Sequence, residues 1–112
     1  MSRPSLGEIL KRAQALHEKI SETQESLANQ RVEGTAGGGM VTVVMNGRRE
    51  VLQVKIEKEI INPDDKELLE DLVVAAVNQA LVKAQELEMT EMSKVTGGVL
   101  SQLTGGLQMP GL

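Results

Sequence analysis

Two stretches of alternating apolar residues, separated by the pair Asn46-Gly47, constrain the fold of this chain most strongly. Asn-Gly is the preferred pair for a two-residue type I′ turn, in which both residues need positive φ. Such a turn pairs Val41 with Leu52 and Val43 with Glu50, and a one-residue slip would divide the apolar set between both faces. The sequence therefore predicts a β-hairpin, and one face of it should carry Val41, Val43, Met45, Leu52, Val54 and Ile56.

The glycines that precede this hairpin do not match a phosphate-binding loop. Such loops open a helix, and a P-loop also requires Gly-Lys-Ser/Thr. Here Gly37, Gly38 and Gly39 precede a strand, which favours a flexible connector between strands. We expect Val32 to lie in a short strand before a loop that spans residues 34–39.

Long helices are predicted on both sides of the hairpin. Ser5 and Glu8 form a capping-box pattern at the start of a helix over residues 5–29. Asn62 and Pro63 favour a second helix start, and this helix should cover residues 63–96. The first helix carries an apolar stripe with spacings of three and four, as in heptads: Leu6, Ile9, Ala13, Leu16, Ile20, Thr23 and Leu27.

Neither helix can be covered fully by one small sheet. A six-residue strand spans about 20 Å, whereas the first helix is about 36 Å long. Residues 72–77 of the second helix are apolar nearly all round, so they need neighbours on more than one side. A second copy of the chain is the simplest partner, and its interface should include Leu6, Ile9, Ala13, Leu16, Ile20 and Leu27.

Composition narrows the classes of protein further. With 112 residues, one domain is expected, over residues 1–96, followed by a glycine-rich uncharged tail over residues 97–112. The chain has no cysteine, no visible signal peptide and no apolar run of about 18 residues, so we expect a soluble, cytoplasmic protein without disulfides. It also has no Phe, Tyr or Trp, so no aromatic ring is available to stack bases.

Charge is distributed unevenly along the chain. The net charge is −4, yet residues 1–49 carry about +2 and residues 50–112 about −6. Lys11, Arg12 and Lys19 lie on the first helix beside the apolar stripe, where they could bind phosphate or form an ordinary solvated face with a Glu8–Arg12 pair. Weaker candidates for phosphate contacts lie at the hairpin turn and on the second helix: Arg48, Arg49, Lys83 and Lys94.

Catalytic and metal chemistry find little support in this sequence. His17 is the only histidine and has no ligand-spaced partner, so a metal site there is disfavoured. The acidic run from Asp64 to Asp71 fits the positive end of a helix dipole. No nucleophile–base pair follows from spacing. We therefore expect no enzyme, no cofactor, no metal and no small-molecule substrate.

The chain also resembles the YbaB/EbfC family of nucleoid-associated bacterial DNA-binding proteins over residues 5–112. The resemblance rests on the order and spacing of several stretches: "ILKRAQALHEKI", "GGMVTVVMNGRREVLQVKI", "LLEDLVVAAVNQALVKAQE", "EMSKVTGG" and the terminal "MPGL". It implies an α+β fold with a long N-terminal helix, a three-stranded antiparallel sheet and a long C-terminal helix, in an interlocked, tweezer-like homodimer.

The function implied by this resemblance is binding of duplex DNA in the bacterial nucleoid, with little sequence preference. The acidic net charge requires that DNA meet a local basic strip rather than the average surface. A small acidic dimeric chaperone or adaptor for protein clients remains the alternative, because heptads and methionines suit adaptable client surfaces.

Overall fold

The computed structural model describes residues 5–104, and it describes side chains through residue 98. The subunit is an α+β fold with α1 at Leu6–Asn29, β1 at Arg31–Ala36, β2 at Val41–Asn46, β3 at Val51–Ile56 and α2 at Lys66–Thr104. The strands form one antiparallel sheet in the order β1-β2-β3. The predicted fold class, α+β with a long N-terminal helix, a three-stranded antiparallel sheet and a long C-terminal helix, is confirmed.

Both predicted capping residues, Ser5 and Asn62, are confirmed. The Ser5 hydroxyl oxygen accepts a hydrogen bond from the Glu8 amide at 3.2 Å. The Asn62 side-chain oxygen accepts one from the Asp64 amide at 3.0 Å. A 3₁₀ turn at Pro63–Asp65 follows Asn62, so α2 itself begins three residues later than predicted.

The predicted end of the second helix at residue 96 is wrong, because α2 continues to Thr104. Gly97 and Gly98 lie inside the helix, where a Cβ on either would meet nothing within 4 Å. Glycine lowers helix propensity by about 1 kcal/mol relative to alanine, which is not enough by itself to stop a long helix. The rest of the predicted tail, residues 105–112, lies outside the described residues.

The hairpin exists, but its predicted register is wrong. Val41 pairs with Ile56 and Val43 with Val54, and Leu52 is an extra residue where the β2–β3 register shifts between Val44 and Met45. Asn46 and Glu50 flank a three-residue loop in place of the type I′ turn. From Val41 to Val44 the shift in pairing is even, so these residues and their partners keep the predicted faces. Beyond the shift, Val51 pairs with Met45 and therefore lies on the apolar face in place of Leu52.

Arg49, the last residue of this loop, adopts positive φ at 66°. The arrangement is a type I turn followed by a left-handed residue, the common three-residue hairpin connection. The Asn46 amide donates to the Glu50 carbonyl at 3.0 Å, and the Arg49 amide donates to the Asn46 carbonyl at 3.1 Å. Asn46 is therefore a turn residue as predicted, whereas the left-handed position falls on arginine.

The predicted glycine loop is shorter than expected because Gly34 belongs to β1. A Cβ on Gly34 would overlap the carbonyl oxygen of Ala76 and the backbone nitrogen of Ala80. Glycine thus lets α2 cross β1 at close range. The turn that remains uses positive φ at Gly37, Gly38 and Gly39, with values of 63°, 68° and 94°, and it joins two antiparallel strands.

The core lies between the sheet and one face of α2. Val41, Val43 and Met45 of β2 pack in one cluster with three small residues of α2, which are Ala76, Ala80 and Ala84. All six side chains are buried. Alanines on the helix and valine and methionine side chains on the strand fill this layer, which fits a core without aromatic rings.

Strand β3 contributes only Ile56 to the edge of this core. Its apolar side chains stay 42–49 % exposed at Val51, Leu52 and Val54. Val44, on the opposite face of β2, is buried at 7 %. In the part of the chain described, no helix is long and apolar enough to cross a membrane.

Candidate nucleic-acid interface

The three basic residues of α1 project from an exposed part of the helix. Lys11, Arg12 and Lys19 are all exposed. Arg12 and Lys19 are seven residues apart, so they lie on nearly the same side of the helix. Within residues 5–98, Glu8 and Arg12 form no ion pair within 4.0 Å. The pairing that would make these residues an ordinary neutralised face is thus absent from the described region.

Lys19 and Lys94, far apart in sequence, line one cleft between α1 and α2. The cleft has a volume of about 450 Å³ and is open to solvent. Glu22 and Glu91 also line it, so its formal charges balance. The Lys94 ammonium lies 3.2 Å from the Glu91 carboxylate. Lys94 is therefore already neutralised by a neighbour one turn away on its own helix.

Lys83 makes a structural contact instead of standing free. Its ammonium donates a hydrogen bond to the backbone carbonyl of Glu33 at 2.8 Å. This bond ties α2 to the outer edge of the sheet, next to the site where Gly34 meets the helix. Of the two lysines predicted on α2, both are engaged with other groups of the same subunit.

The hairpin turn brings its arginines to one end of the sheet, beside the end of α1. Arg48 and Arg49 are both exposed. One guanidinium nitrogen of Arg49 lies 3.7 Å from a carboxylate oxygen of Glu88 on α2, and this pair is half exposed. An exposed pair of this kind is worth at most about 1 kcal/mol, so it can exchange for another anion at low cost.

Arg31 is a third arginine at this end of the sheet, and sequence reasoning missed it. It opens β1 and pairs in register with Asn46, the residue that begins the turn. Arg31 is also exposed. Only the register of β1 against β2 reveals this proximity, because 17 residues separate Arg31 from Arg48 in the sequence.

The apolar stripe of α1 divides into a bare half and a covered half. Leu6 is 73 % exposed and Ile9 50 % exposed, and Ala13 is exposed as well. Leu16 and Ile20 are half-buried. Leu27 is only 2 % exposed, and its side chain packs against Gly47. Leu27 is thus a core residue of the subunit, with almost no surface left for a partner copy.

Among the described residues, the histidine and the carboxylates considered as metal ligands are not grouped into a site. His17 is exposed on α1, and Asp64 and Asp65 are exposed before α2. Among the residues described, no three His, Cys, Asp or Glu side chains come together in a geometry suited to a metal ion. The described surface therefore offers its basic residues as the main candidates for a binding site.

A solved structure with the same fold comes from Helicobacter pylori. It is the crystal structure of uncharacterized protein HP0035, which superposes with a TM-score of 0.75 at 19 % identity. The match covers 84 % of this chain and 99 % of the other. At this level of identity the similarity concerns the fold alone.

Curated relatives are much closer in sequence. A protein of Syntrophobacter fumaroxidans named "Nucleoid-associated protein" is 48 % identical over 92 % of this chain and 91 % of its own. Nucleoid-associated protein TTE0040 of Caldanaerobacter subterraneus is 50 % identical over 84 % and 85 %. The sequence model of the YbaB/EbfC DNA-binding family matches residues 2–99, which include nearly all of the residues described above. The chain therefore belongs to the YbaB/EbfC DNA-binding family.

Proposed function

We propose that the protein acts as a homodimer that binds duplex DNA in the cytoplasmic nucleoid, mainly through phosphate contacts with little sequence preference. This binding would affect nucleoid organisation and gene expression. Lys11, Arg12 and Lys19 of α1 are the principal contacts. Arg48, Arg49, Lys83 and Lys94 contribute less, since three of these four already hold partners within the subunit.

The proposal is supported most by the exposure of the α1 cations, since even Lys19, which lines the cleft with Glu22 and Glu91, makes no ion pair there. Lys11, Arg12 and Lys19 form no ion pair within 4.0 Å with any residue whose side chain is described. Cations of this kind neutralise phosphates of any sequence and release counterions as they bind. The chain has no aromatic ring for stacking on unpaired bases, so duplex is favoured over single strands.

A homodimer is supported by the apolar surface that one subunit leaves uncovered. Leu6, Ile9 and Leu10 of α1 are 50–73 % exposed, although they lie on a helix with a heptad stripe. Contiguous exposed apolar residues of this kind mark interaction surfaces in soluble proteins. A second copy would cover them. It would also present the basic strip of α1, which consists of Lys11, Arg12 and Lys19, twice, and this increases binding to a long polyanion such as DNA.

Salt-dependent titration of a double variant tests the proposal. Replacing Arg12 and Lys19 by Ala in both subunits should remove four phosphate contacts, which flattens the log–log salt slope by about 3 to 4. The loss should be similar for random and A·T-rich duplexes, since phosphate contacts carry little base information. A Lys58→Ala, Lys66→Ala variant has the same change in charge in the acidic half of the chain and should keep its slope. Equal slopes for both variants would move the site away from α1.

A chaperone or adaptor for protein clients is the second candidate. It is favoured by exposed methionines, of which Met89 on α2 is 70 % exposed and Met40 is 40 % exposed. Methionine side chains adapt to irregular partners. This function predicts suppression of aggregation of an unfolded client protein at a salt concentration where duplex DNA does not bind. Suppression that depends on Met89 would support it.

A further inference from the structure

We infer that Arg31, Arg48 and Arg49 form a second phosphate-binding site, the arginine corner, separate from the basic strip of α1. This inference rests on the proposed DNA-binding function and deepens it. The three arginines come from two distant parts of the sequence, and the register of β1 places the backbone of Arg31 beside Asn46, at the end of the sheet where the β2–β3 loop turns. Guanidinium groups are well suited to phosphate because they can donate two parallel hydrogen bonds.

The corner has a rigid base that holds it against α1. The Asn46 side-chain oxygen accepts hydrogen bonds from the Arg48 and Glu50 amides, both at 3.0 Å. The Asn46 side-chain amide donates to the carbonyl of Ala28, and the Gly47 amide donates to the carbonyl of Leu27. Asn46 is 4 % exposed. The turn therefore caps the last turn of α1, and its arginines project from a fixed backbone.

Arg49 occupies a backbone position at which glycine would cause less conformational strain. Its φ of 66° lies in the left-handed region, which L-residues other than Asn and Asp adopt reluctantly. Glycine is the usual residue at this point of a three-residue hairpin loop. Strained positions of this kind cluster at functional sites. The side chain of Arg49 therefore serves a purpose other than the stability of the turn.

Glu88 of α2 already binds Arg49 as an anion would. The two side chains are 3.7 Å apart, and they are 49 % and 38 % exposed. A phosphate that reaches the corner must compete with this carboxylate. Glu88 therefore acts as an internal competitor that weakens the corner, and its removal should strengthen DNA binding.

The corner and the α1 strip are placed so that one duplex can reach both. Arg12 and Asn29 are separated by about 25 Å along the helix axis, at 1.5 Å per residue. Arg12 lies within about 60° of Leu27 around the helix, and Leu27 is the residue that the turn contacts. At 3.4 Å per base pair, 25 Å corresponds to about 7 base pairs.

Two Glu→Gln variants test the inference by a gain of binding. Glu88→Gln should tighten duplex binding at least threefold, because it frees Arg49. Glu86→Gln, two residues away on α2, loses the same charge from an exposed position on another side of the helix and should change affinity less than twofold. The gain from Glu88→Gln should disappear in an Arg49→Gly background. Equal effects of the two glutamine variants would overturn the inference, since a general charge effect would then explain both.

A loss-of-binding series completes the test. Arg31→Ala with Arg48→Ala should weaken duplex binding and flatten the salt slope while the melting temperature stays unchanged. Arg49→Gly should weaken binding yet raise the melting temperature, a combination that a structural role alone would not produce. Unchanged binding in these variants, beside weakened binding in Arg12→Ala, Lys19→Ala, would overturn the corner and keep the proposed function. Absence of duplex binding by the unmodified protein would overturn both.

Discussion

Two glycines set how closely each helix approaches the sheet. A Cβ on Gly34 would overlap backbone atoms of Ala76 and Ala80 on α2. A Cβ on Gly47 would lie 2.8 Å from the carbonyl oxygen of Leu27 on α1. Real Cβ contacts are not this short, and backbone atoms cannot move away as flexible side chains can. Each glycine therefore fixes one helix at a distance that no other residue permits.

Gly34→Ala should consequently be among the most harmful single changes to this fold. The added methyl group must push α2 from β1 or distort the strand, at a cost of about 2 to 3 kcal/mol for overpacking. Chemical denaturation should show a clear fall in the free energy of unfolding. Gly97→Ala is the matched control, since its Cβ would meet nothing within 4 Å. It should be neutral or stabilise by up to about 1 kcal/mol. Equal stability of the two variants would contradict the close approach of α2.

At the scale of elements, local signals were predicted well and long-range geometry was not. The Ser5 and Asn62 caps depend on residues within three positions, and both were read from the sequence. The hairpin register was missed because alternation fixes only which face a residue takes, not its partner. The Asn-Gly pair suggested a two-residue turn, but the side chain of Asn46 stabilises a three-residue loop instead.

In the candidate site too, local features could be predicted from the sequence, whereas long-range contacts could not. Exposure of Lys11, Arg12 and Lys19 followed from their place beside the apolar stripe. The pairing of Lys94 with Glu91 was readable from their spacing of three. The contacts of Lys83 with Glu33 and of Arg49 with Glu88 span 50 and 39 positions along the chain. Those contacts, and the proximity of Arg31 to the turn, required the three-dimensional fold.

Helix α2 extends beyond its last contacts with the core. Val95 is the last buried residue among those with described side chains, and the next three residues are exposed. A chain that ends at Thr96 should keep its fold, because residues 97–112 carry no charge, many glycines and few periodic hydrophobic residues. Its melting temperature should fall by less than about 10 °C. A larger fall in calorimetry, with the full chain measured alongside, would show that residues 97–112 pack against the folded part.

At the scale of the whole molecule, the subunit is long and thin, with extents of 75 × 31 × 16 Å. One face of the sheet is covered by α2 over β1 and β2, which leaves the side chains of β3 exposed except that of Ile56. The first turns of α1 are bare of apolar neighbours as well, at Leu6, Ile9 and Leu10. A subunit this thin buries less apolar surface by itself than it would bury against a second copy. This difference is the physical basis for the proposed dimer.

Aspartate substitutions at two positions of the α1 stripe separate assembly from folding. Ile9 is 50 % exposed in the subunit, so Ile9→Asp should preserve helix content and produce a folded monomer if a second copy covers this residue. Leu27 is buried, so Leu27→Asp should unfold the subunit, because an unpaired buried charge costs several kcal/mol. Light scattering and circular dichroism measure the two effects. A dimer that survives Ile9→Asp unchanged would place the interface elsewhere, first at β3.

Binding of duplex DNA through its phosphates can be tested by a single titration. A labelled random-sequence duplex and its separated single strand are titrated with the unmodified protein at several salt concentrations from about 50 mM to 200 mM. Phosphate-mediated binding without aromatic stacking predicts tighter binding of the duplex than of the single strand. It also predicts an affinity that falls by about 0.9 log units per log unit of salt for each phosphate neutralised. No duplex binding at about 50 mM salt, or binding that does not respond to salt, would contradict it.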